Sequence, residues 1–205
     1  MLCIKQLQVG IISKLDFVIA SSDIIALCGH SGSGKTTLLD AIAGYRDYQG
    51  HISIDGVNID KYHPWQRPCR YLNQRLYLFP HLTVLANLHL AQYAAKQSKS
   101  DDACKMILKQ VGIGHLADRY PWQISGGEQQ RAALARVLIS NPKLLLLDEP
   151  FSSLDWQLRM NLWQLVIDIQ AQYSMTILLV THEPKEASML ANHIYHLQQG
   201  NLFTE

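Results

Sequence analysis

Gly29-His30-Ser31-Gly32-Ser33-Gly34-Lys35-Thr36 has the spacing G-x-x-x-x-G-K-[ST], the pattern of a loop that wraps phosphate oxygens. Its glycines let successive backbone N–H groups turn inward, and the helix that starts at Lys35 adds the positive end of its dipole. In such a loop the lysine, Lys35, sits on the β- and γ-phosphates and the Thr36 hydroxyl on a magnesium ion. An ordinary Gly-rich turn between strand and helix has no need of Lys and Thr at those two places. A second signal is Leu144-Leu145-Leu146-Leu147-Asp148-Glu149-Pro150. The four leucines predict a buried strand that delivers two adjacent carboxylates at its C-terminal end, where open parallel sheets bind ligands. There Asp148 would hold the metal, and Glu149 would orient and polarise an attacking water.

The third signal is Ser125-Gly126-Gly127-Glu128-Gln129-Gln130-Arg131. Ser125 followed three residues later by Glu128 reads as a capping box at a helix start. A cap has no use for two consecutive glycines, each of which costs roughly 0.5–1 kcal/mol inside a helix. They make sense where a ligand approaches the bare N–H groups. A second anion-binding helix start in one chain is then explained if it completes a phosphate site that belongs to another copy. His182 follows the apolar run Ile177–Val180 at a strand end, which favours a role in the site over a core histidine. His193 and His196 share an i, i+3 spacing but lack carboxylate or cysteine company, so they read as surface or packing residues.

The elements that must position these residues follow from periodicity. Strands are expected at Leu2–Val9, Leu15–Ile19 and Ile24–Cys28, the last running into Gly29, with a helix from Lys35 to about Ala43 stopped by Gly44. His51–Ile54 and Tyr71–Asn73 read as further short strands, and Val84 to Val111 as mainly helical. The last third alternates: helix Glu128–Ser140, strand Lys143–Leu147, helix Trp156–Tyr173, strand Thr176–Val180, helix Pro184–Leu190, then a hairpin of Ile194–Leu197 and Asn201–Phe203. Buried strands separated by amphipathic helices predict a parallel sheet covered on both faces.

The 205 residues suit one domain, and 18 Lys+Arg against 17 Asp+Glu leave no overall field to draw the chain onto nucleic acid. A hydrophobic fraction of 48% fills a core and leaves some apolar surface, which hints at a partner. No run approaches the roughly 18–20 apolar residues of a membrane span, and MLCIKQLQVG lacks the features of a signal peptide, so export is not expected. Cys3, Cys28, Cys69 and Cys104 form no C-x-x-C pair and read as reduced thiols.

With these motifs in this order the sequence resembles the nucleotide-binding domain of the ABC transporter superfamily over nearly its whole length. Gly29–Thr36 matches Walker A, Ser125–Gln129 the signature, Leu144–Asp148 with Glu149 the Walker B strand, Ser153-Leu154-Asp155 the D-loop, Thr181-His182-Glu183 the switch-histidine segment, and Gln74 the Q-loop. The resemblance implies an α/β P-loop NTPase (RecA-like) core with a parallel sheet, an N-terminal antiparallel β-subdomain and an inserted helical subdomain. It implies residues 1–205 as a single nucleotide-binding domain, with the insertion at about 76–140 and no C-terminal regulatory domain. The cofactors implied are ATP and Mg²⁺, the metal held by Thr36, Gln74 and Asp148. Nucleotide contacts are expected from Gly29, His30, Ser31, Gly32, Ser33, Gly34, Lys35, Thr36, Thr37 and Gln74, and from Ser125, Gly126, Gly127 and Glu128 of a second copy in a head-to-tail dimer. Catalysis would rest on Glu149, His182 and Lys35.

Leu78-Phe79-Pro80-His81-Leu82-Thr83-Val84-Leu85-Ala86-Asn87-Leu88 is similar to bacterial importer ATPases of the thiamine, molybdate and ferric-iron type. In that group the region borders the groove for a permease coupling helix, which assigns Leu78, Phe79 and Leu82 to it. The expectation is an importer ATPase on the cytoplasmic face of the inner membrane, acting with permease subunits and a solute-binding protein. Its rivals are an exporter ATPase, a soluble ABC ATPase and a P-loop kinase; the last has no use for Ser125–Gln129 or His182. The chain departs from the family at Val9-Gly10-Ile11-Ile12-Ser13-Lys14, which offers no aromatic residue for adenine, so an aliphatic contact from Ile11 or Ile12 is expected. It departs again at Ser22-Asp23, where a Gly-Glu turn is usual.

Overall fold

The computed structural model describes residues 1–73, 75–152 and 154–204. They form two compact units, one of Met1–Tyr71, Lys143–Glu149 and Ile167–Glu205, the other of Leu72–Pro142 and Pro150–Val166.

The first unit carries an antiparallel sheet of β1 (Leu2–Val9), β2 (Ile12–Ile19), β4 (Gln49–Ile54) and β5 (Val57–Asn58) in the order β2-β1-β4-β5. Along β2, Ile12, Leu15, Phe17 and Ile19 are buried, the near-alternation of a sheet with one face on the core. β2 starts three residues earlier than the Leu15 read from sequence, because Ile12 pairs with Val9 across the tight turn at Gly10–Ile11.

The second sheet runs β10-β9-β3-β8-β7-β6, made of β3 (Ile24–Cys28), β6 (Cys69–Leu72), β7 (Leu144–Asp148), β8 (Thr176–Val180), β9 (His193–Gln198) and β10 (Asn201–Thr204). β3 is parallel to both β8 and β9, and β7 is parallel to β8. β7 and β8 are buried at every position, as strands covered on both faces must be, which is why leucine and isoleucine run without alternation there. β9 and β10 form the terminal hairpin, with Phe203 opposite His196. Helix α1 (Lys35–Ala43) buries Leu38, Leu39, Ala41 and Ile42 against this core and ends at Gly44, in the left-handed region at φ 87°. The fold is α/β, with a parallel core and a separate antiparallel sheet.

In the second unit α2 (Val84–Ala94), α3 (Asp101–Gln110) and α4 (Gly126–Leu138) pack on one another. Thr83 caps α2 by accepting from the Ala86 N–H at 3.1 Å, and Ser100 caps α3 by accepting from the Ala103 N–H at 3.2 Å. Ser100 thereby splits the helical stretch read as 84–111 into two. Helix α5 (Trp156–Tyr173) begins in this unit and ends in the first, and α6 (Pro184–Leu190) belongs to the first. No helix among the described residues is long and apolar enough to cross a membrane.

Candidate active site

The loop 29–34 joins β3 to α1. Gly29 sits against β9, where a Cβ would lie 2.4 Å from the Leu197 carbonyl oxygen, so only glycine fits. Gly34 is the N-cap of α1 at φ 103°, a left-handed conformation that bulkier residues avoid, and no side chain caps this helix. Lys35 is 8% exposed, and its Nζ donates to the carbonyls of Gly29 at 2.7 Å and His30 at 2.9 Å, so the ammonium is held over the loop it closes. His30, Ser31 and Gly32 are exposed, and Thr37 accepts from Arg46 at 3.0 Å.

The end of β7 brings the first carboxylate to this loop. Thr36 Oγ1 donates to Asp148 Oδ2 at 2.9 Å, and the Tyr71 hydroxyl donates to the same oxygen at 3.3 Å. Asp148 is 2% exposed. Burial pushes its carboxyl above the usual carboxylate value; the Thr36 and Tyr71 bonds pull it back, and the charges of Glu149 and Asp40 raise it further. The Tyr71 phenol is driven up by its own burial and by Asp148 and Asp40. Asp40 of α1 is raised by burial against the lowering effects of Tyr71 and Arg46.

Glu149 leaves the strand with φ 50°, a left-handed turn that costs a non-glycine residue about 1 kcal/mol. Its N–H is held by the Val180 carbonyl at 3.0 Å. Its Oε1 lies 3.3 Å from His182 Nδ1. The histidine is placed in turn by Thr181, whose hydroxyl donates to the buried Glu186 at 2.5 Å and accepts from the Glu183 N–H at 3.0 Å. Hard oxygens of Thr36 and Asp148 at hydrogen-bond distance suit a magnesium ion, which takes one or two protein ligands and fills its shell with phosphate and water. No group of three or more His, Cys, Asp or Glu among the described residues could hold a metal by itself.

The second unit holds the other expected contacts. Ser125 caps α4 and Glu128 answers it: the Ser125 N–H donates to Glu128 Oε2 at 2.7 Å and its Oγ donates to the same oxygen at 2.9 Å. These bonds, from the Ser125 backbone first and then its hydroxyl, hold the Glu128 carboxyl below its usual value. A Cβ on Gly126 would meet nothing within 4 Å, whereas one on Gly127 would lie 3.2 Å from Leu154 Cδ2, so α4 begins open at its first residue and packed at its second. The helix therefore begins at Gly126, two residues before the Glu128 expected from sequence, because the capping box draws both glycines into its first turn. Gln74 and Ser153 lie outside the described residues.

Comparison with known proteins decides what this arrangement belongs to. The family described as "ABC transporter" matches residues 12–152. The chain belongs to the ABC transporter family. It is 37% identical over 199 residues to the sulfate/thiosulfate import ATP-binding protein CysA of Escherichia coli K12, covering 94% of this chain and 54% of that protein. It is 38% identical over 192 residues to the thiamine import ATP-binding protein ThiQ of Chelativorans sp. BNC1, covering 92% and 78%. The chain thus spans about half the length of the sulfate/thiosulfate relatives it matches. Among solved structures it resembles the dimeric bacterial ABC transporter cassette MJ0796, with a TM-score of 0.90, 25% identity and coverage of 100% of this chain and 98% of that one. A second structure of that cassette, in a post-hydrolysis state bound to ADP and Pi, matches equally well.

Several residues of this ABC chain were not singled out from its sequence. Tyr71 stood inside an expected strand, and nothing local marks its reach to Asp148. Asn87 is fully buried and takes the Phe79 N–H at 2.8 Å while donating to the carbonyls of Phe79, Leu82 and Thr83, so it organises the 79–83 turn. An asparagine among the apolar residues of α2 was the available signal. Arg136 secures the preceding stretch through the carbonyls of Leu76 at 2.7 Å and Tyr77 at 2.6 Å.

Proposed function

We propose that this chain is the ATP-hydrolysing subunit of an ABC importer. The observation that carries the reading is the pairing of Thr36 with Asp148 and of Glu149 with His182 beside a phosphate loop closed by Lys35. The names of its relatives, import ATP-binding proteins for sulfate/thiosulfate and for thiamine, support import over export.

In this reading the N–H groups of residues 29–37 cradle the phosphates of ATP, and Lys35 exchanges its loop carbonyls for β- and γ-phosphate oxygens. Thr36, Asp148 and Gln74 would hold Mg²⁺, which would supply positive charge to those oxygens. Glu149 takes the proton of a water whose oxygen bonds to the γ-phosphorus, as the bond to the β-bridging oxygen breaks and its electron pair leaves with ADP. His182 steadies Glu149 and the γ-phosphate. The dimer of the MJ0796 cassette supports a head-to-tail pair here, in which Ser125–Glu128 of the second copy close the site. The helical insertion, with Phe79 exposed between half-buried Leu78 and Leu82, then receives permease subunits at the inner face of the membrane, served by a solute-binding protein. The Glu149→Gln variant tests this. It should bind ATP, run as a dimer in size-exclusion chromatography with ATP present, and hydrolyse at least ~100-fold more slowly. Turnover at the original rate would remove Glu149 from the mechanism.

A further inference from the structure

Beside the phosphate loop, within the first unit, lies a cavity of about 480 Å³ that takes in Ile11, expected above to contact adenine, together with residues of the terminal hairpin that have been given no role. It is lined by loop residues 30–33 and by Ile11, Leu197, Gln199, Asn201 and Phe203. Two of these are large apolar side chains left half exposed, Ile11 at 50% and Phe203 at 52%. The walls are held in place by backbone contact. A Cβ on Gly200, in the turn of the β9–β10 hairpin, would lie 2.2 Å from the Ile11 carbonyl oxygen, and one on Gly34 would lie 3.3 Å from Ile11 Cγ1. Together with Gly29 against Leu197, these approaches press the terminal hairpin and the β1–β2 turn onto the loop. Ser33, 8% exposed, also lines the cavity, and its Oγ has no hydrogen-bond partner.

Size and chemistry agree on an occupant. The volume falls in the range of small-molecule sites, roughly 300–1,000 Å³. An aromatic ring and an aliphatic wall suit the faces of a planar heterocycle, while the carboxamides of Gln199 and Asn201 offer donors and acceptors to its edge. A phosphate chain bound on residues 29–36 carries its nucleoside at one end, and this cavity adjoins that loop. We propose that, with no aromatic residue in the β1–β2 turn, the Phe203 ring of the terminal hairpin is the stacking partner of the nucleotide's base in this cavity. The aromatic contact then comes from the last hairpin, and Ile11 forms the aliphatic side of the slot. The assignment rests on the nucleotide-binding reading above.

Calorimetric titration with ATP and with inorganic tripolyphosphate separates base from phosphate recognition. Phe203→Ala should weaken ATP binding about tenfold and leave tripolyphosphate within about twofold. Phe203→Leu, which keeps apolar bulk without the ring, should lose most of the same factor, and Phe203→Trp should restore it. Equal loss for both ligands, no loss for ATP, or full affinity in Phe203→Leu overturns the stacking role. If the unaltered protein binds neither ligand, the nucleotide reading itself falls and this assignment falls with it. Phe203 lies on an edge strand at the surface, and a circular dichroism spectrum matching that of the unaltered protein confirms that each variant is folded.

Discussion

Two helices of this protein begin at glycine-rich, anion-ready N-termini, and they treat their free N–H groups in opposite ways. Helix α1 follows Gly34 and has no side-chain cap, and its neighbouring carboxylate, Asp148, is buried with its carboxyl raised. Helix α4 follows Ser125 and carries its own carboxylate, Glu128, bonded back onto the cap and lowered by it. Both starts carry the positive end of a helix dipole. At α4 that potential is met within the chain, while at α1 it is concentrated where the loop, Lys35 and Thr36 converge. Under the proposed function, the start that takes phosphate within its own chain is the uncapped one, and the start that would serve the phosphate of a second copy is the capped one.

The largest expected effect comes from the α1 side. Asp148→Asn should reduce Mg²⁺-dependent ATP hydrolysis by at least ~100-fold, since under the proposed function it removes the carboxylate that would hold the metal. The same variant should raise the thermal midpoint of the nucleotide-free protein by about 2–4 °C, because it removes a buried charge disfavoured by desolvation and by Glu149 and Asp40. A fall in the midpoint, followed by scanning calorimetry, would erase the contrast between the two starts. On the α4 side, Ser125→Ala should cost about 1 kcal/mol in urea unfolding, the usual worth of an N-cap, with no thermal gain. The smallest effect is a pH dependence. The Glu128 carboxyl is held below its ordinary value, so its small contribution, screened by solvent, is present above pH 4.5 and fades as pH falls through the lowered value. Unfolding curves of the unaltered protein and Glu128→Gln should therefore converge as pH drops from 6 to 3.

Much of this is legible in the sequence. The P-loop, the tetraleucine strand and the capping box are local patterns whose residue types dictate their conformation, and each lies where its spacing put it. What escaped the sequence is what long-range contact creates. The segment Pro150–Val166 joins the compact unit of 72–142, although it lies beyond the helical insertion drawn at about 76–140. Sequence periodicity has no access to that clustering. Tyr71 was read as an ordinary strand residue, and its tie to Asp148 arises only because β6 and β7 belong to one sheet. Phe203 likewise read as half of a hairpin, with no sign that the hairpin borders the phosphate loop.

The sequence by itself determined the chemistry on offer: a lysine and a hydroxyl at the head of a helix, paired carboxylates at a strand end, a histidine after the neighbouring strand. Side-chain identity and short-range spacing suffice for that, because backbone conformation over a few residues follows from them. Only the tertiary structure decided which groups meet and in what electrostatic setting. Thr36 and Asp148 are 112 positions apart in the chain and 2.9 Å apart in space. The raised carboxyl of Asp148 and the aromatic wall supplied by Phe203 exist only once the sheet has closed around them, since desolvation and contact belong to the assembled core and not to any stretch of chain.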